Sequence, residues 1–284
     1  MQLKNNRLTV NFATREEYSG PRFDQVGMIK SVTLDDTHSF HSKESLISGE
    51  GSNGQGFYNE FGLEEPIGYD DILKGEKFLK IGVGSLTKHC DEPYDFFEAY
   101  PIELCEIITT KKEDAIIFNV AHQTVNGYAV NYQKKIQIKD NELIITYTLE
   151  NIGTKAIETT EYCHNFIAIN GQPIGPDYEL NFSYPIEFET KLGTFESSNK
   201  TIHFLQPLES VIYGKLKNIP VQCNQYFEVI HKPSGVRVRE TSLFELHRVA
   251  IWGMPHVISP EAFINISLQP KETKVWQRLY LFDY

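Results

Sequence analysis

Two short stretches carry side chains suited to moving a proton. The first is Thr160-Glu161-Tyr162-Cys163-His164-Asn165-Phe166-Ile167-Ala168-Ile169-Asn170-Gly171. It is rich in β-branched and aromatic residues and ends in an Asn-Gly turn signal, so it reads as a strand. Alternation along a strand puts Tyr162, His164 and Phe166 on one face and Cys163 and Ile167 on the other. An imidazole between two aromatic rings suits the floor of a sugar site. The rings cover the apolar face of a pyranose, and the imidazole exchanges protons with its oxygens near neutral pH. The second stretch is Ser259-Pro260-Glu261-Ala262-Phe263. Here Glu261 reads as the start of a strand, on one face with Phe263, Asn265 and Ser267. Ala262, Ile264, Ile266 and Leu268 form the opposite, apolar face.

Other residues suit supporting roles. Arg22 and Lys80 have the charge to hold sugar hydroxyls, a carboxylate or a phosphate. Glu60 lies in Gly56-Phe57-Tyr58-Asn59-Glu60-Phe61-Gly62, whose aromatics and glycines suit a sugar-binding loop. Trp252 has the ring to stack on a sugar, and His122 is a candidate second site histidine. His38 and His41 would face opposite sides of a strand, so no zinc site is read there. The chain has no P-loop and no Gly-x-Ser-x-Gly, which leaves no sequence signal for a P-loop nucleotide site or a serine nucleophile.

The elements that must position these residues read as strands. Residues 3–12 suggest a hairpin turning at Asn5-Asn6, and the polar run 38–59 suggests a long loop. The run 78–84 reads as a strand with a close-packed glycine end. Regular alternation begins at residue 102, with strands expected over 102–109, 115–123, 129–138 and 142–149. Further strands are expected near 157, 201, 211, 226 and 236, then over 246–251, 262–268 and 273–282. Turn signals such as Lys232-Pro233-Ser234-Gly235 separate them. No stretch has a convincing helical period, and no repeat or linker divides residues 1–284. The expectation is one all-β domain, a large antiparallel β-sandwich.

Composition narrows the partners. Hydrophobic residues at 40% and charged residues at 23% suit a soluble globular chain. A net charge of −11 opposes nucleic acid and anionic membranes through long-range repulsion. The first seven residues carry no apolar segment of a signal peptide, and no apolar run reaches a membrane span. Cys90, Cys105, Cys163 and Cys223 lie far apart, which suggests free thiols in a reducing cytoplasm.

The His164-Asn165-Phe166-Ile167-Ala168-Ile169 run resembles the histidine motif of the aldose 1-epimerase (galactose mutarotase-like) family. The two strands between Tyr132 and Asn151, ending in Leu149-Glu150-Asn151-Ile152-Gly153, are similar to the family. So is the Ser259–Phe263 segment, which resembles the one carrying the family's catalytic glutamate. The resemblance extends from residue 115 to the end. In the first third the family's His-Gly-Gly-like segment is not visible, and residues 56–62 stand in its place. The resemblance implies a galactose mutarotase-like supersandwich and an isomerase that interconverts the anomers of a free sugar. Glu261 would be the base on the anomeric hydroxyl and His164 the acid toward the ring oxygen. Arg22, Glu60, Lys80, Tyr162, Phe166 and Trp252 would line the substrate. That chemistry needs no metal, nucleotide or other cofactor. The expected partner is a small carbohydrate bound by a monomer or homodimer. Two alternatives share the fold: a non-catalytic carbohydrate-binding protein, and a hexose-phosphate mutarotase, which needs Arg22, Lys80 and Arg248 to converge on one end of the cleft.

Overall fold

The computed structural model describes residues 1–220 and 222–284. Among the described residues the regular structure is strand throughout, apart from one 3-10 turn at Ile169–Gly171. Two 10-stranded sheets carry the fold, and a 3-stranded sheet of Lys77–Lys80, Gly84–Thr87 and Ile102–Leu104 stands beside them. All strand pairs are antiparallel. Among the described residues no helix is long and apolar enough to cross a membrane.

The period-two pattern explains the layering. Along Glu142–Asn151 burial alternates strictly, with Leu143, Ile145, Tyr147 and Leu149 fully inside. Each such strand presents one apolar face, and two sheets bury these faces against each other. Aromatic edges meet across the core: Phe57 with Tyr280 at 5.2 Å and Phe61 with Tyr132 at 5.4 Å. The all-β antiparallel sandwich expected from alternation is therefore what the chain forms.

Boundaries differ in places, for local reasons. The hairpin at the N-terminus is present, pairing Gln2–Lys4 with Leu8–Phe12. The expected strand over 78–84 ends at Lys80, because Gly82 turns at φ 78. A Cβ there would lie 1.9 Å from Asp24 Oδ1, so only glycine fits. The run 102–109 is two strands in two different sheets, Ile102–Leu104 and Ile107–Lys111. The long loop ends at Gly56, and Glu60 is in the strand Phe57–Phe61 rather than in a loop. Glu261 does not begin its strand. The strand is Val257–Leu268, and it runs through Pro260.

Candidate active site

Five neighbouring strands build the site: Phe57–Phe61, Ile157–Asn165, Val257–Leu268, Arg248–Met254 and Ile212–Leu216, in that spatial order. Register decides what faces what. Tyr162 pairs with Glu60 on one side and Phe263 on the other, and His164 pairs with Tyr58. Farther across, Trp252 pairs with Ser259, Ala250 with Glu261, and Tyr213 with Trp252. Residues directly opposite share a face, so these side chains form one panel on the side of the sheet away from the sandwich core. The alternate residues Glu161, Cys163 and Asn165 point into the core.

His164 and Glu261 meet on this panel. His164 Nδ1 lies 3.2 Å from Glu261 Oε1. Ser259, two residues before Glu261 on the same face, places its Oγ 2.7 Å from Nδ1 and donates to Oε1 at 3.2 Å. The pair therefore does not flank a gap one pyranose wide. The two groups stand side by side, and a sugar would meet both from above. His164 Nε2 and Glu261 Oε2 make no hydrogen bond among the described residues, and both retain accessible surface.

The aromatic residues support the pair. Phe166 stacks flat on the imidazole, with centroids 4.0 Å apart and planes at 12°. Trp252 stands edge-on at 5.4 Å, and Phe23 at 6.1 Å. Tyr162 stacks on Phe263 at 4.3 Å. Tyr162 and Phe166 are fully buried. Neither offers a free face, because in a panel this crowded the rings pack on one another. Trp252 remains half-exposed.

Arg22 and Lys80 reach the same face and are already engaged. Arg22 donates to Glu60 at 3.0 Å, to Glu44 at 3.3 Å, to Ser52 at 2.8 Å and to Tyr162 Oη at 3.3 Å. Its guanidinium is stacked over Phe23 at 4.7 Å and Phe96 at 4.3 Å. Lys80 donates to Gly62 O at 3.1 Å, Tyr94 Oη at 3.2 Å and Glu60 at 3.4 Å. Glu60 has no exposure at all and accepts from Arg22, Lys80 and Tyr162, the last at 2.7 Å. It therefore acts as a buried counter-ion rather than a loop carboxylate facing a ligand. His122 is elsewhere: its Nε2 accepts the Gly82 amide at 3.0 Å, and burial pulls its pKa down to about 4. Arg248 lies over Phe263 at 3.9 Å and pairs with Glu64 at 3.0 Å.

Burial sets the proton affinities. His164 and Glu261 are 4% and 5% exposed. Burial pushes the Glu261 carboxyl up to about 8, against the pull of Arg22. Burial also holds the His164 imidazole well below 6.5, and the Arg22 charge adds to that. Both groups thus prefer their uncharged forms.

Several of these residues escaped the sequence reading. Ser259 carried a usable signal, since period two places it beside Glu261. Glu44, Ser52, Phe23 and Phe96 arrive from loops over 13–28, 40–56 and 88–101, where no periodicity reports direction.

No family model matches the chain, and no curated protein matches it. Solved structures do. The Slr1438 protein from Synechocystis sp. PCC 6803 superimposes at TM-score 0.65 and 10% identity, covering 100% of this chain and 95% of that one. A galactose mutarotase related enzyme from Lactobacillus acidophilus gives TM-score 0.64 at 11% identity, covering 100% and 97%. A galactose mutarotase-like protein from Lactobacillus casei gives 0.59 at 12%, covering 100% and 99%. Identities this low establish architecture and leave activity open. The chain therefore shares the galactose mutarotase-like fold.

Proposed function

We propose that the protein is an aldose 1-epimerase-like isomerase acting on a free, uncharged sugar. The observation that carries this reading is the His164–Glu261 contact, with one unpartnered nitrogen and one unpartnered oxygen left accessible beside Trp252. Anomer exchange needs a base at the anomeric hydroxyl and an acid at the ring oxygen, a few ångströms apart. The pair carries one titratable proton between its two members and can fill both roles. Ring opening frees the C1–C2 bond to rotate, and reclosure delivers the other anomer.

The electrostatics support an uncharged substrate. A phosphorylated sugar needs cations free to bind it. Arg22 is held by Glu60 and Glu44, Lys80 by Glu60, and Arg248 by Glu64. The names of the structural neighbours point to the same class of enzyme.

The test is saturation-transfer NMR over a set of free and phosphorylated sugars, with binding followed by calorimetry. Wild type should exchange the anomers of at least one free sugar. Glu261→Gln and His164→Asn should each lower exchange by roughly a hundred- to ten-thousandfold with binding largely kept. Binding without exchange of any sugar would replace this reading with that of a carbohydrate-binding protein.

A further inference from the structure

The free edges of the two large sheets are not alike. The first sheet ends at Gln2–Lys4 and Phe188–Leu192, the second at Glu196–Ser198 and Ile107–Lys111. An edge strand offers unpaired N–H and C=O groups to any other chain, and proteins blunt such edges with short strands, charges or bulges. Gln2–Lys4 and Glu196–Ser198 have three residues each. Phe188–Leu192 carries the Lys191–Glu189 ion pair and a register shift between Thr190 and Leu192. Ile107–Lys111 has no such device before its last residue, and reads Ile-Ile-Thr-Thr up to Lys111. Residues 108–111 are exposed, and Ile108 keeps 60% of its surface.

Register fixes what this edge presents. Ile107, Thr109 and Lys111 lie opposite the buried Val120, Phe118 and Ile116, on the core face. Ile108 and Thr110 lie opposite Asn119 and Ile117, on the outer face. Residues of both faces are exposed, so no other described part of the chain overhangs the strand. The hairpin closes with the Lys112 amide donating to Ala115 O at 2.7 Å. Counting back by twos, Thr110 and Ile108 spend their backbone groups on Ile117 and Asn119. Ile107, Thr109 and Lys111 therefore point theirs away from the sheet. Glu106 and Lys112, just outside the strand and both exposed, continue its outer-face alternation.

We infer that this edge docks a second copy of the chain, which adds its own Ile107–Lys111 antiparallel across a two-fold axis through Thr109. Outward-pointing residues must meet for hydrogen bonds to form, so Thr109 meets the partner's Thr109 and Ile107 meets the partner's Lys111. Three such pairs exchange about six backbone hydrogen bonds. The same register sets Glu106 opposite the partner's Lys112, and Ile108 opposite the partner's Thr110. A slip of two residues loses the charge match: one way Glu106 meets Thr110, the other way Asp114. The charges thus select a partner of the same sequence, and the pairing closes as an isologous dimer. This edge belongs to the sheet that does not carry His164 and Glu261, so the dimer is independent of the sugar chemistry. A strand pair buries less than a standard interface. The dimer is therefore weak, populated at about 100 µM protein and dissociated at about 1 µM.

Sedimentation velocity of the full chain across that range is the test. Wild type should pass from monomer to dimer. Thr109→Pro removes an outward donor and no ladder bond of its own sheet, so it should remain monomeric at 100 µM with an unchanged circular dichroism spectrum. Glu106→Lys and Lys112→Glu alter only exposed side chains, and they decide the matter if the proline variant does not fold. Each sets like charges opposite one another and should dimerise roughly tenfold more weakly. An equimolar mixture of the two should recover wild-type association, as should one chain carrying both changes. A wild type monomeric throughout overturns the proposal, as does a folded Thr109→Pro that dimerises like wild type. A dimer equally strong in both single charge variants overturns it too, because the strands would not meet in this register.

Discussion

Burial of Glu261 has consequences for stability as well as chemistry. Its folded pKa, about 8, lies above the ordinary value of 4.5. Such a group contributes stability that is fully present below the unfolded value and is lost as pH rises through the folded one. The groups acting on it are Arg22, Glu60 and Arg248, with Ser259 in direct contact. Glu261→Gln has no proton to lose. Its melting temperature should therefore rise relative to wild type as pH increases from about 5 to about 9. Differential scanning fluorimetry across that range checks this, and parallel curves would mean that the carboxyl is not buried. His164 runs the other way, since its pKa is depressed and its contribution is lost toward acid pH. With one titratable proton needed between the two groups, exchange should hold steady near neutrality, fall above about 8 and fall again only well below 6.5. At this scale the sequence was informative about which residues, and much less about their state. His164 and Glu261 were visible as types on alternating faces. That Phe166 and Tyr162 would be buried supports, and Glu60 a buried counter-ion, depends on loops whose paths leave no periodic trace.

The contact between the two strands depends on a break in their pairing. The ladder runs from Ile157 opposite Leu268 to Tyr162 opposite Phe263, and resumes only at the bridge between Ile167 and Ile258. Pro260 stands in the gap, in a strand paired on both sides, where a missing N–H removes a ladder bond. Asn165 spans the gap from the core side. Its amide donates to Pro260 O at 2.7 Å, to Glu240 Oε2 at 2.9 Å and to Cys163 O at 3.3 Å. Its carbonyl oxygen accepts from Tyr280 Oη at 2.9 Å. A side-chain amide thus does what the backbone cannot, and sets the spacing at which the imidazole meets the carboxylate. Asn165→Ala should leave Pro260 O unsatisfied and take one partner from Glu240, costing about 2–4 kcal/mol in urea unfolding. It should also slow anomer exchange, although Asn165 faces away from the substrate. An unfolding midpoint equal to wild type would show that the gap needs no bridge. The alternation of Ala262 to Leu268 is legible as a strand in the sequence. The proline hides the strand's first third, because a residue that cannot donate usually marks an end.

Across the whole molecule, the two sheets are joined by more than apolar surface. Arg278 comes from the strand Thr273–Asp283 of the second sheet and has no exposure. It donates to Glu161 at 2.8 Å and to Glu240 at 2.7 Å, both equally buried. Glu161 lies directly beneath the site panel, one residue before Tyr162, and also accepts from Trp276 at 3.0 Å and Asn59 at 2.7 Å. Glu240, from the neighbouring strand Arg237–Ser242, is the group that orients Asn165. Composition and alternation could not announce this layer. Glu161, Glu240 and Arg278 each look in sequence like an ordinary polar residue in a strand, and only the register of two sheets brings them together. A guanidinium between two carboxylates in an interior is costly to desolvate and far more costly to break, because each partner left alone is an uncompensated charge. Arg278→Met should therefore destabilise by about 3–5 kcal/mol, seen as a lower urea midpoint. The variant carrying Glu161→Gln and Glu240→Gln as well should recover most of that loss, since no buried charge is then left without a partner. The same pair of proteins separates stability from function. The triple variant keeps the sheets together, yet the neutral amide at position 240 no longer offers Asn165 a carboxylate. Anomer exchange should then stay below wild type even where the fold is fully populated. A triple variant as unstable as Arg278→Met alone would show that the layer holds the sheets through shape rather than charge. Full exchange in a stable triple variant would show that the site does not depend on what lies beneath it.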